Sequence, residues 1–298
     1  VQYFYEPFLE AYDPDLRKEL GVWYTPPEIV KYQVGRVDAV LREELGLADG
    51  LADPNVIVLD PCCGTGAYLV EVLRRIATTL RDKAGDALVA SDLKDAAMNR
   101  IFGFEILPAP FVVSHLQLGL MLQREGSPLV HRTGERVGVY LTNSLTGWDL
   151  VEKPKQQVMA FAELGDERDA AANVKQQEKI LVVLGNPPYN SKPKKGKVDI
   201  LYSAAEAASP SVDTAAYKVG LNKPIREGGW GIKKFNLDDL YIRFFRLAER
   251  RIAEMSGKGV VSFISNFSYL GDPSFVVMRE RFLTEFDKLW LDCMNGDS

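Results

Sequence analysis

Short unbroken apolar runs alternate along this chain with stretches whose apolar residues return every three or four positions. Val56-Ile57-Val58-Leu59-Asp60, Arg100–Ile106, Arg136–Leu145, Leu181-Val182-Val183-Leu184-Gly185 and Gly259–Asn266 each read as a buried strand that stops at a polar or glycine turn. Lys288–Cys293 reads as a last strand. Between them, Val30, Val34, Val37 and Leu41 mark one helix face, and Leu69, Val72, Leu73, Ile76 and Leu80 mark another. Val112, Leu116, Leu120 and Leu122 predict a largely buried face of a helix starting at Pro108, and Tyr241, Phe244, Phe245, Ala248 and Ile252 predict a core face further on. Residues 87–99 and 278–285 are also helical in pattern, as is an N-terminal stretch over residues 3–20 rich in aromatics. Strands alternating with helices, and no internal repeat, predict an α/β fold: a doubly wound, mostly parallel sheet flanked by helices.

The punctuation carries the chemistry. Asp60 closes one strand and is followed by Pro61-Cys62-Cys63-Gly64-Thr65-Gly66 and then a helix. Glycines at such a turn let a ligand approach the backbone closely. The third glycine of a dinucleotide turn and the GK[ST] of a phosphate loop are both missing, which favours a ligand without a pyrophosphate. Asp60 points at the same pocket and suits an ammonium group. Glu105, ending the next strand, suits ribose hydroxyls, and Asn143 reaches the same rim of the sheet. Thr25, three residues before Glu28, predicts a capping box with Pro26 at the first helical position. At Asn186-Pro187-Pro188-Tyr189 two consecutive prolines stiffen the end of a strand. There an amide oxygen and a backbone carbonyl converge as acceptors for one amino group, with an aromatic ring beside them. Taken alone, each of these turns also reads as ordinary structural punctuation.

Composition narrows the field. The chain has 298 residues, of which 46% are hydrophobic and 26% charged, and no run is long enough to span a bilayer. Three cysteines, two of them adjacent, form neither a disulfide framework nor a zinc spacing, so a reducing, cytoplasmic setting and no metal are expected. The net charge of −5 argues against tight electrostatic binding of nucleic acid by this segment alone. His115 reads as a packed helix residue. Residues 190–236 shift in composition and read as a long loop insertion; its Lys192–Lys197 cluster is either a solvated surface or a phosphate contact. The chain begins at Val1 without a methionine and stops after a strand-like run, which predicts a piece excised from a larger protein.

In combination and order, these stretches resemble the S-adenosylmethionine-dependent N6-adenine DNA methyltransferases, above all those of type IIG and single-polypeptide type I restriction-modification enzymes. WYTPPEIV (23–30), DPCCGTGAYL (60–69), FGFEI (102–106), NSL (143–145) and NPPY (186–189) carry the likeness, with DLYIRFF (239–245) and GVVSFISN (259–266) following. The resemblance implies a Rossmann-like methyltransferase sheet and S-adenosylmethionine as cofactor. Tyr24, Thr25, Pro26, Asp60, Pro61, Cys62, Gly64, Gly66, Glu105, Ile106 and Asn143 would bind that cofactor. Asn186, Pro187, Pro188 and Tyr189 would be catalytic. It implies an N-terminal helical segment over 1–50 carrying the TPP motif and a catalytic core over 51–298. Double-stranded DNA with a flipped adenine is the implied partner, with nuclease, translocase and target-recognition domains in the parent chain and no membrane. Alternatives are methylation of RNA or of a protein glutamine amide, or an isolated cofactor-binding module inactive without its missing domains. The adjacent Cys62-Cys63 is a mild departure from the family pattern.

Overall fold

The computed structural model describes residues 25–148, 162–189, 212–235 and 237–294. Tyr24, the N-terminal stretch over 3–20 and the Lys192–Lys197 cluster lie outside the described residues. Five strands form one parallel sheet: β1 (Val58–Asp60), β2 (Ile101–Glu105), β3 (Val139–Leu141), β4 (Val182–Gly185) and β5 (Val260–Phe263), in the order β3-β2-β1-β4-β5. The first three strands build outward in one direction and the last two in the other. β1 and β4 are therefore neighbours, with Val58 beside Val182 and Leu59 beside Val183. The crevice past the carboxyl ends of two such strands is where open α/β sheets take ligands.

On one face lie α1 (Pro27–Glu43), α2 (Ala67–Ala84), α3 (Asp86–Asn99) and α4 (Pro108–Arg124). Val34, Val37, Leu41, Leu69, Leu73, Ile76 and Leu93 form their shared core. On the other face lie α5 (Ala162–Gln177) and α6 (Leu240–Glu249), where Phe102, Phe104, Trp148, Val183, Leu247 and Ile252 pack together. A π-helical stretch, Arg250–Ser256, extends α6 and ends at Gly257 in the left-handed region. There the buried Arg251 donates to the carbonyls of Lys175 and Glu178 and lies 5.4 Å from the Trp148 ring. Two further helices, α7 (Ser268–Gly271) and α8 (Val276–Glu285), follow β5.

Several expectations are corrected. The strands are shorter than the apolar runs, because pairing rather than composition sets their ends. β5 is an edge strand, half-buried past Val260 instead of fully buried. In α4, Val112, Leu116 and Leu120 are exposed, and only Leu122 of the four expected residues is buried. The face turned inward is Pro110, Ser114, Leu118, Met121 and Leu122. This helix is apolar on more than one side, so helical spacing picks out two stripes and cannot rank them. Lys288–Cys293 forms no strand: it has no ladder partner among the described residues, and Leu289, Trp290 and Leu291 stay exposed. Lys288 pairs with Glu44 and Asp292 accepts from the Tyr32 hydroxyl, which ties the segment to α1. Within the expected insertion, residues 212–235 are folded as irregular turns that bury Tyr217 and Leu221 completely in a third apolar cluster.

Candidate active site

The glycine turn is held from below by an acid. Glu105 accepts the amide of Gly64 at 2.9 Å through one carboxylate oxygen, and those of Ile106 at 2.9 Å and Leu107 at 2.8 Å through the other. Gly64 and Gly66 both sit at positive φ, 53° and 87°. A Cβ on Gly66 would come within 3.1 Å of Ser114 on α4, so the turn is also pressed against that helix. Burial raises the Glu105 carboxyl above its ordinary range, against the three amides that lower it.

Asp60 lies at the end of β1 and is fully buried. Its Oδ1 accepts the Cys62 amide at 3.0 Å, while Oδ2 accepts no hydrogen bond among the described residues. Burial, with the Glu105 charge adding to it, pushes this carboxyl up from 3.8 to about 7. Gly185, the last residue of β4, allows the carboxylate its place, since a Cβ there would lie 2.6 Å from Asp60 Oδ1. Burial and the same two carboxylates push the Cys62 and Cys63 thiols well up. They are poor thiolates and poor metal ligands, and no group of three or more His, Cys, Asp or Glu among the described residues is arranged to hold a metal ion.

Asn186 follows directly and donates its Nδ2 to Thr25 Oγ1 at 3.1 Å. This overturns the capping box: α1 starts at Pro27 with Pro26 in the cap position and no side-chain cap bond. The Thr25 hydroxyl faces the end of β4, not the helix amides. Pro26 itself is exposed. Behind Thr25, the Tyr68 hydroxyl donates to Gln33 Oε1 at 2.7 Å, and Gln33 Nε2 donates to the Ser262 carbonyl at 2.7 Å. That relay joins α1, α2 and β5. Tyr189 is half-buried, its ring 6.0 Å from that of Tyr241 at 39°, and it packs against the third apolar cluster.

The far rim is formed by the turn that follows β3. Asn143 Oδ1 accepts the Leu145 amide at 2.9 Å, so its side-chain oxygen serves its own turn. Ser144 Oγ donates to the Pro61 carbonyl, fastening this turn to the glycine turn. The buried Lys175 of α5 donates to Thr142 Oγ1 at 2.9 Å and to the Asn143 carbonyl at 2.8 Å, with its Nζ 5.2 Å from the centre of the Phe104 ring. Lys175 and Gln33 carry no signal in the sequence, since each is one polar residue on a helix among many. His115 is the packed residue expected, with Nε2 3.1 Å from the Val139 carbonyl, and burial lowers its pKa.

A doubly wound parallel sheet with a glycine turn and an NPPY turn on adjacent strands defines a methyltransferase fold. A family model described as N-6 DNA Methylase matches residues 2–218, and the chain belongs to that family. The "Adenine-specific methyltransferase PglX" of Streptomyces coelicolor is 24% identical over 273 residues, covering 85% of this chain and 20% of that protein. Among solved structures, a DrdV–DNA complex superposes with a TM-score of 0.69 at 24% identity, covering 96% of this chain and 24% of that one. The ATP-dependent Type ISP restriction-modification enzyme LlaBIII bound to DNA gives a TM-score of 0.69 at 24% identity, covering 94% of this chain and 17% of that one. The chain thus spans about a fifth of the length of these proteins. No helix among the described residues is long and apolar enough to cross a membrane. N-6 methylases as a family generally use S-adenosylmethionine.

Proposed function

We propose that this chain transfers a methyl group from S-adenosylmethionine to N6 of adenine in double-stranded DNA, as the modification part of a restriction-modification enzyme. The observation that carries the reading is the hydrogen bond from Asn186 to Thr25, which brings the NPPY amide to the TPP motif; Gly185, just before it, lies against Asp60 and Cys62 of the glycine turn. The residues present fit a cationic methyl donor: Asp60 Oδ2 is a buried acceptor with no hydrogen bond among the described residues, and its neighbour Glu105 is also acidic. When bound, S-adenosylmethionine supplies an electrophilic methyl group on a sulfonium. Thr25 and Asp60 hold its methionine end. Gly64 and Gly66, with Pro61, Cys62 and Ile106, line the turn. Glu105 Oε2, which accepts one amide, takes a ribose hydroxyl, and Asn143 offers its amide NH2 to the adenine edge.

On the acceptor side, adenine N6 is a weak nucleophile because its lone pair is delocalised into the ring. Asn186 Oδ1 and the Pro187 carbonyl accept its two hydrogens and draw the nitrogen towards tetrahedral geometry. An amide accepts these bonds without taking a proton. The N6 lone pair, drawn out of the ring, takes the methyl group as its bond to the sulfonium sulfur breaks, releasing S-adenosylhomocysteine. N6 then loses one of its hydrogens to solvent as a proton. Acceleration comes from position and fixed dipoles, and Pro188 keeps both acceptors in place. The base must leave the duplex at a cost of a few kcal/mol, and stacking on Tyr189 offsets about 1–3 kcal/mol of it. Nuclease, translocase and target-recognition domains belong to the parent protein in this reading, and its setting is cytoplasmic.

Asn186→Ala is expected to retain cofactor binding by calorimetry and to lose methyl transfer to duplex DNA. Transfer at the wild-type rate would refute the role of Asn186.

A further inference from the structure

The segment from Lys218 to Lys234 is a preformed knob rooted beside the catalytic turn. Trp230 donates its amide to the Gly220 carbonyl at 3.0 Å, Gly231 to Lys223 at 2.8 Å and Ile232 to Leu221 at 2.7 Å. Gly229 is required for this closure, because a Cβ there would lie 2.2 Å from the Lys223 carbonyl oxygen. The root is apolar: Leu221 is fully buried and Ile232 half-buried in the cluster against which Tyr189 packs.

The outer face is of another character. Lys223, Arg226, Lys233 and Lys234 are all exposed. The three lysines pair with no carboxylate among the described residues, and Arg226 meets only its neighbour Glu227, at 3.6 Å. Lys218 is tied to Asp238 at 2.9 Å and belongs to the root. In a chain of net charge −5 this is a local excess of cations. Ile225 at 76% and Trp230 at 44% exposure stand among them, which a merely solvated lysine loop does not need. Cations with interleaved apolar side chains match a nucleic-acid backbone, whose phosphates and sugars alternate in the same way.

We propose that Lys223, Arg226, Lys233 and Lys234 grip the DNA phosphates flanking the extruded adenine, so that the knob is a backbone-holding element of the catalytic domain itself. The inference rests on the reading of the site as a DNA methyltransferase. A rigid arm sharing its footing with Tyr189 holds the strand at a set distance from the pocket, and it reads no sequence, since phosphate contacts position and base contacts specify.

The test compares the complete protein with its K223Q/K233Q/K234Q variant, titrating duplex DNA at several salt concentrations. Each phosphate deprived of its cation lowers the slope of log K against log salt by about 0.9, so a fall of about 2.7 is expected, with roughly a hundredfold weaker binding at 0.15 M salt. Cofactor affinity, read by calorimetry, is expected to stay unchanged and reports a correctly folded variant. A wild type that methylates DNA and a variant with the same slope and affinity would overturn the inference and leave the functional reading standing. A wild type that takes up cofactor yet neither binds nor methylates duplex DNA would overturn both.

Discussion

Replacing Asp60 with Asn is expected to remove a pH-dependent instability that the wild-type protein carries at neutral pH. In the folded chain the carboxyl titrates at about 7, against an ordinary 3.8. A raised acid binds its proton more tightly folded than unfolded. Its contribution to stability is therefore intact below about pH 4, declines as the pH rises, and is fully lost above about pH 7. At 1.36 kcal/mol for each tenfold change in proton affinity, the rise comes to about 4 kcal/mol between those limits. Asn at position 60 keeps the oxygen that accepts from Cys62 but cannot ionise, so this slope disappears. Urea unfolding of both proteins at pH 5, 6, 7 and 8 measures the difference directly. Wild type should lose about 2–3 kcal/mol relative to D60N between pH 5 and pH 7 and little more beyond. A second arm follows from the proposed role: a cationic ligand seated on Asp60 favours the ionised form, so binding near pH 6 should release up to one proton. Calorimetry in buffers of different ionisation enthalpy counts it, and D60N should release none through this group. Unfolding curves that stay parallel across the whole pH range would refute the raised titration of Asp60 in the unliganded protein.

Gly185→Ala should destabilise the fold by about 1–3 kcal/mol, because the new methyl would lie 2.6 Å from Asp60 Oδ1 at a backbone φ of 153°; thermal unfolding checks this, and an unchanged midpoint would be the contrary result. Lys175→Met should loosen the Asn143 turn and weaken cofactor binding by about tenfold, roughly 1.4 kcal/mol, while the transfer rate at saturation holds; a loss of rate alone would contradict a positioning role. Native alkylation followed by mass spectrometry should label the exposed Cys293 first, with Cys62 and Cys63 protected until denaturant is added.

The sequence disclosed those parts of the fold where one physical requirement dominates. A run such as Leu181–Leu184 has no soluble alternative to a buried strand, and two prolines after Asn186 leave the backbone few conformations. The glycine turn, Glu105 beneath it and the NPPY corner were legible for that reason. What escaped depends on partners distant in the chain. Thr25 satisfies a capping pattern, yet its hydroxyl meets Asn186, 161 residues away. Val112, Leu116 and Leu120 fit a buried stripe as well as the true one does, and only the packing of α4 on the sheet decides between them. Lys288–Cys293 has the composition of a strand but no ladder partner among the described residues. Residues 212–235 fold through individual backbone bonds and a few buried side chains, Val212, Thr214, Tyr217 and Leu221, which leave no periodicity to detect.

The adjacency of β1 and β4 turns the sheet into a ruler. Paired strands stand about 4.8 Å apart, a spacing fixed by the ladder bonds between them. The glycine turn and the NPPY turn, each hung from the tip of one strand, inherit that interval whatever the surrounding helices do. Substitutions in the outer layers leave that interval in place, because it belongs to the middle of the sheet. On the proposed function, the separation between methyl donor and target base would follow from the sheet and not from the layers packed around it.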